Sequence, residues 1–374
     1  MASTLKVDTI TTPDGTGDIT FSRPIVGNLT AQKNVIINGD FNVWQRGTSF
    51  AACSDNEYQA DRFKYSKVGV MVHTISRDTD VPTVAESGHL SNYSLKVDCT
   101  TIDSSIDAND ECHIFTHVEG YNFAPLAQKA MTLSFWHKHT KTGTYCISVR
   151  NSSYNRTYIA EYTQTTTDTW EKATINISAS PSFWDWNYTN GTGIKLGWSI
   201  AMGANWQNTA DSWLSANDAA TSNQVNACDN AANNFMLSQV QLEAGSVATD
   251  FEIRNHATEL AMCQRYYEEL NYEGTASVEF GIAQCSSGTV ARATIVWATE
   301  KRTSPTISIS TAGDFMVTGA SASTVNVSTL TGSSPGRFST NMNMTVPSGL
   351  AAGDATKLSD DGGGNARIKI SAEL

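Results

Sequence analysis

Apolar and polar residues alternate along most of this chain, most sharply in two segments far apart in sequence. Asn34–Gly47 and Phe235–Arg254 each read as a strand, with Gly or Asn closing the run. Between them the same two-residue period predicts strands over Phe63–Met71, Tyr93–Cys99, His113–Val118, Ala130–His137, Thr144–Val149, Tyr158–Tyr162, Ala173–Ile177 and Ile194–Met202. A sheet domain whose first and last strands lie this far apart fits a jelly-roll sandwich, because its edges close by pairing the two ends. Ala204–Asn234, rich in Asn, Asp and Ala, reads as a long surface loop.

The period changes once. Over 255–271, Leu260, Cys263, Tyr267 and Leu270 recur at helical spacing behind Asn255, a suitable cap. This predicts a linker helix whose stripe packs either on its own sandwich or around a symmetry axis. Residues 272–374 return to alternation and predict a small C-terminal β-sandwich, in which Phe338, Thr340, Met342, Met344 and Val346 share a buried face. Asp360–Asn365 reads as a turn. Residues 1–33 hold two short strands, Leu5, Val7 and Ile10 before the Pro13–Gly17 turn and Ile19 and Phe21 after it. Two such strands bury too little to be stable alone, so they need a particle or sibling chains. The whole is mainly β, with domains 1–33, 34–254, 255–271 and 272–374.

Composition narrows the partners. The chain has 374 residues, 40% hydrophobic and only 17% charged, with a net charge of −12. An acidic surface without a Lys/Arg run argues against nucleic acid. No stretch has the length and apolarity of a membrane span, and Met1–Pro13 lacks the features of a signal peptide. The seven cysteines form no CxxC pair, which predicts buried thiols and assigns no metal or cofactor.

Catalytic chemistry finds little footing. His137 and His139 share a strand face but lack an identifiable third ligand, and Cys112, His113 and His117 lack an orienting partner. Aromatics offer more. Between Pro181 and Gly191, strand alternation puts Trp184, Trp186 and Tyr188 on one face, with Asp185 and Asn187 among them. Such a row suits stacking on sugar rings, while a core-facing row or a subunit contact is the alternative.

Several of these segments also resemble a known family. The opening NGDFNVWQRG, the ADRF at Ala60–Phe63 and the closing VQLEAGSVATDFE are similar to a jelly-roll module of bacteriophage tail-fibre and other virion proteins, itself like carbohydrate-binding modules. STLKVDTITTPDGTGDITFSRP resembles the N-terminal segment of phage virion proteins, and ATELAMCQRYYEEL the helix that follows the module. The resemblance implies a non-enzymatic virion component, first a tail fibre, with a capsid decoration or head fibre as the alternative and a polysaccharide depolymerase third. It also implies attachment to another virion protein through Leu5, Val7, Ile10, Ile19 and Phe21. Host polysaccharide would bind at Trp184–Tyr188, and a homotrimer would meet at Leu260, Cys263, Tyr267 and Leu270. Related modules often hold calcium near positions such as Asp40 and Glu243. Here Gln241 and Leu242 stand beside Glu243 where aspartates are common, so no calcium is assigned.

Overall fold

The computed structural model describes residues 33–318 and 323–374, so the attachment residues Leu5, Val7, Ile10, Ile19 and Phe21 lie outside the described residues. From Asn34 onward the chain is mainly β and antiparallel. A six-stranded sheet runs in the order Ser49–Phe50, Val72–Asp78, Ser94–Thr101, Asn234–Ala244, Met131–His139, Glu171–Ile177. A seven-stranded sheet faces it: Trp213–Leu214, Thr157–Gln164, Gly143–Arg150, Thr192–Met202, Glu111–Glu119, Phe63–Val68, Glu57–Tyr58. The closing strand Asn234–Ala244 thus lies in the middle of the first sheet, between strands from much earlier in the chain. Inward side chains of both sheets, among them Phe63, Leu133, Phe135, Trp198 and Phe235, form one core. The strand Val72–Asp78, absent from the sequence expectation, also belongs to the first sheet, where His73 and Ile75 take its inward positions.

The opening segment is no strand. Residues 34–44 run beside Asn234–Ala244, joined by two backbone bonds, Val35 N to the Leu242 carbonyl (3.0 Å) and Val240 N to the Gly39 carbonyl (2.8 Å), and by Asn side chains. Asn34 Nδ2 donates to the Val240 carbonyl (3.0 Å) while its Oδ1 accepts from Leu242 N (3.0 Å). Asn38, at φ 61°, accepts from Val43 N through Oδ1 and donates from Nδ2 to Val43 and Asp61 carbonyls. Gly39 is required here, since a Cβ would lie 2.2 Å from the Val240 carbonyl oxygen. Similarly, the closing strand stops at Ala244, well short of Arg254.

The predicted linker helix is half its expected length. It covers His256–Gln264, capped by Asn255 accepting from Ala257 N (2.9 Å), and Tyr267–Leu270 is instead a strand paired with Ile368–Ser371. Tertiary pairing with the chain's last strand outweighs local helical period. The four stripe residues therefore share no helical face. Cys263 is buried with Ile37, Val43 and Tyr266, with Leu260 packed against them; Leu270 packs on the C-terminal core; Tyr267 lies beneath the Arg46 guanidinium, 3.4 Å from ring centre. The trimer seam expected from that stripe has lost its geometric basis.

The resemblance-bearing words meet here, at the junction of two cores. Arg265 binds Glu119 bidentately (2.9 and 2.7 Å), Tyr266 donates to the same carboxylate (2.6 Å), and Arg62 stacks on Tyr266 and pairs with Glu373. Arg46 spans Asp61 and Glu373 (both 3.0 Å), and Gln45 donates to the Tyr267 carbonyl. Beyond it, a three-stranded sheet (Tyr267–Leu270, Ile368–Ser371, Thr306–Ile309) shares a core with a seven-stranded sheet. That sheet runs Thr324–Asn326, Phe315–Thr318, Ala355–Asp360, Glu279–Cys285, Val290–Val296, Ser339–Thr345, Thr329–Ser333. Thr340, Met342, Met344 and Val346 are buried as the alternation predicts, but Phe338, outside the strand, is 62% exposed.

Candidate functional site

The aromatic segment at 182–191 is a loop, not a strand, and its rings point different ways. Trp186 is buried against Phe123 and Trp213, its indole N–H donating to Ser180 Oγ (2.7 Å). Tyr188 stacks between Phe123 and Phe183, and Asn187 Oδ1 accepts from Thr189 N. Asp185 is held by Arg156 Nε (2.6 Å), and its carbonyl accepts from Asn151. Only Trp184, 88% exposed, and the half-exposed Phe183 are presented to solvent. A turn rich in Pro, Ser and Asp breaks the alternation that would have aligned the rings.

A stronger site lies on the face of the seven-stranded sheet that looks away from the sandwich core. Along Glu111–Glu119, period two sends Cys112, Ile114 and Val118 inward and leaves Glu111, His113, Phe115 and His117 on the outer face. Thr192–Met202 does the same: Ile194, Leu196, Trp198 and Ile200 go inward, Lys195, Gly197 and Ser199 outward. Register then assembles rows across the sheet: Lys64, Phe115, Gly197 and Ser148 in one, His117, Lys195 and Arg150 in the next. The 204–225 loop covers one part of this face, with Ala219, Ala220, Trp206 and Leu214 packed on Cys146, Ile159 and Met202. The far end is closed by the C-terminus, where His117 Nδ1 meets the Leu374 carbonyl (3.0 Å).

What remains between them is a strip of this sheet face with an unusual set of buried side chains. Both ring nitrogens of His113, Ser148 Oγ, Arg150 Nε and Nη2, and His117 Nε2 are buried without a hydrogen-bond partner among the described residues. The Lys195 ammonium lies 3.5 Å from the Phe115 ring centre and 5.5 Å from that of Tyr154, while Lys64 stands 5.7 Å from Phe115. Gly197 leaves space beside Ser148, since a Cβ there would sit 3.2 Å from Ser148 Oγ. Asn151 and Arg156, which hold the Trp184 loop through Asp185, flank the turn carrying Tyr154.

Lys64, Arg150 and Lys195 bring basic groups to this face, with Glu111 opposing them. Burial lowers the Lys195 pKa to about 6, helped by the Arg150 charge and opposed by Glu111. Burial, then Lys195 and Arg150, hold His113 well below its usual value; burial also depresses His117, with Lys195 and Arg62 adding to it. These imidazoles are neutral at pH 7, as is most of Lys195, so an anion arriving here meets the Arg150 guanidinium and neutral amine and imidazole groups that can take up a proton.

The other sequence candidates sort differently. His137 and His139 face the sandwich core: His137 Nδ1 contacts Gln164 Oε1 (2.9 Å), and His139 stacks on Tyr145 (3.7 Å) and Phe235 (4.6 Å). Cys112 and His113 point to opposite faces of their strand and make no nucleophile–base pair. Asp360 serves its turn, accepting from Ser277, Gly362, Gly364 and Ala366 N–H groups. Asp40 binds His89 (2.9 Å) and Ser91 (2.5 Å) beside a cavity of about 350 Å³, and Glu243 accepts from Gln241 and Thr249. The signal of this sheet face was present in the sequence, as His113, Phe115 and His117 on one face of a predicted strand.

No protein-family model matches this sequence, and no curated protein matches it. Among solved structures the chain is similar to TmCBM61 in complex with beta-1,4-galactotriose, at 12% identity and TM-score 0.29, covering 57% of this chain and all of that one. It is also similar to a family 11 carbohydrate-binding module from Clostridium thermocellum in complex with a mixed-linked tetrasaccharide (8%, TM-score 0.29, 54% of this chain and 99% of that one). A third is the enzymatically active domain of bacteriophage CBA120 tailspike protein 4 (12%, TM-score 0.29, 52% of this chain). The chain covers 21% of that tailspike chain's length. Likeness at this level leaves this sheet face to be read from its own side chains.

Proposed function

We propose that this protein is a non-enzymatic structural component of a tailed-phage virion, a tail fibre that attaches through its N-terminal leader and binds acidic glycans of the host surface on the outer sheet face around Lys195. One observation carries the binding half of this reading: six buried polar atoms without partners among the described residues lie on a single sheet face beside Phe115 and Tyr154. Each such atom costs ~1–3 kcal/mol if nothing satisfies it. A ligand bearing hydroxyls and a carboxylate would supply acceptors to Arg150, Lys195 and the imidazoles, while its apolar ring face would rest on the aromatic rings. No nucleophile and base meet on this face, and its basic groups suit holding an anion more than cleaving a glycosidic bond.

The virion half rests on the resemblance of the leader, the jelly roll and the junction words to phage proteins, and a homotrimer is the assembly it implies. Two experiments separate the halves. Titration with uronic-acid-containing and neutral polysaccharides should show binding of the acidic ones, reduced in Gly197→Val, where the new side chain fills the space beside Ser148. Equal binding of neutral and acidic chains would sink the assignment to this face. Deleting residues 1–24 should leave a folded chain that no longer enters particles, and normal incorporation would remove the anchor.

A further inference from the structure

Seven cysteines without close spacing gave no metal motif, yet folding gathers two of them around one imidazole. His73 lies on Val72–Asp78 of the six-stranded sheet, Cys112 on Glu111–Glu119 of the opposite sheet, and Cys228 in the turn before Asn234–Ala244. All three are buried, and their ligand atoms lie within 4.8 Å of one another. Cys228 Sγ stands 3.7 Å from His73 Nε2 and Cys112 Sγ 3.8 Å from Nδ1. For a tetrahedral zinc with bonds of ~2.3 Å to sulfur and ~2.0 Å to nitrogen, the S···N separation is roughly 3.5 Å, close to that of Cys228 Sγ and Nε2. The Tyr65 hydroxyl, 2.7 Å from Nδ1, is placed to accept the proton of that nitrogen, which leaves Nε2 as the donor to a metal. Cys99 is the cross-strand partner of His73, and its Sγ lies 3.8 Å from the Cys228 carbonyl.

We infer that His73, Cys112 and Cys228 form a structural site for a thiophilic divalent ion, zinc before others. Binding displaces a proton from each coordinating thiol. Two thiolates, a neutral imidazole and a divalent cation sum to zero charge, which suits a position at 0–1% exposure between two sheets. An ion there would tie the six-stranded sheet, the seven-stranded sheet and the loop entering the closing strand. Thiolate donors select zinc, and also cobalt as its spectroscopic substitute, over magnesium or calcium.

The test uses the full chain, purified under reducing conditions and dialysed against metal-free buffer. Elemental analysis should find one zinc per chain. Refolding with cobalt should give thiolate-to-cobalt charge-transfer absorption and the visible bands of tetrahedral geometry. Cys112→Ser and Cys228→Ser should lose both, whereas Cys285→Ser, in the C-terminal core, should keep both. If either cluster variant fails to fold, the wild-type metal content and cobalt spectrum still decide. A wild-type chain that is folded yet takes up neither ion, or a Cys112–Cys228 disulfide found by peptide mass spectrometry of protein prepared without reductant, overturns the assignment.

Discussion

Replacing Lys195 by Met tests the binding face more directly than any other single change. Lys195 is 7% exposed, and burial brings its pKa from 10.5 to about 6. The folded chain therefore releases this proton near pH 6, whereas the unfolded chain keeps it until about pH 10.4. Between those values the unfolded state binds more protons, so stability due to this residue rises with pH and falls as pH drops toward 6. The full slope is ~1.4 kcal/mol per pH unit; allowing for half-titration at pH 6, the gain from pH 6 to 8 is about 2 kcal/mol. Met fills a similar volume without the ammonium, so Lys195→Met should be the more stable at pH 6, with an advantage shrinking by that amount by pH 8. Urea unfolding of both proteins at several pH values measures the difference, and common titrations elsewhere cancel. Binding gives the complementary readout. An anionic glycan would restore the proton to Lys195, so wild-type affinity by calorimetry should strengthen up to tenfold per unit as pH falls from 8 towards 6. The Met variant should bind weakly and without that slope. Parallel stability curves, or a Met variant that binds as the wild type does, would refute the buried-cation account.

Three further outcomes follow from named contacts. Trp184→Ala should leave stability within about 0.5 kcal/mol, because the ring is 88% exposed, while weakening binding of longer polysaccharides that reach past Tyr154; a large loss of stability by thermal melting would place the ring elsewhere. Lys301→Met removes the buried partner of Glu268 (2.5 Å), also bound to the Gln264 carbonyl (2.6 Å), and should cost ~3–5 kcal/mol in urea unfolding, partly recovered by adding Glu268→Gln. Burial raises the Asp360 pKa, but four backbone N–H donors outweigh it and hold it at about 2. Its stabilisation is thus present above pH 3.8 and lost as pH falls towards 2; Asp360→Asn should be less stable at pH 7 and flatter across that acid range by circular dichroism.

Local alternation was enough to identify the strands Glu111–Glu119, Thr192–Met202 and Ser339–Thr345 and to give the β class, because burial on one face of a pleated strand imposes a period of two on the sequence itself. It also singled out the opening and closing segments that pack together, though part of that contact runs through the Asn34 side chain, which no periodicity records. Helical spacing misled at Tyr267 and Leu270, where pairing with Ile368–Ser371, nearly a hundred residues later, outweighed it. The aromatic row failed for a related reason: a loop has no period, so the directions of Trp184 and Trp186 depend on what Phe123 and Trp213 offer them. The sequence put His113, Phe115 and His117 on one strand face, but their neighbours there, and the whole cysteine–histidine cluster, were decided by tertiary structure. Sheet register sets Lys195 between His117 and Arg150, and the packing of two sheets sets Cys112 and Cys228 beside His73. Such neighbours are fixed by long-range pairing and core packing, and separations of 39 and 155 residues leave no trace in local spacing.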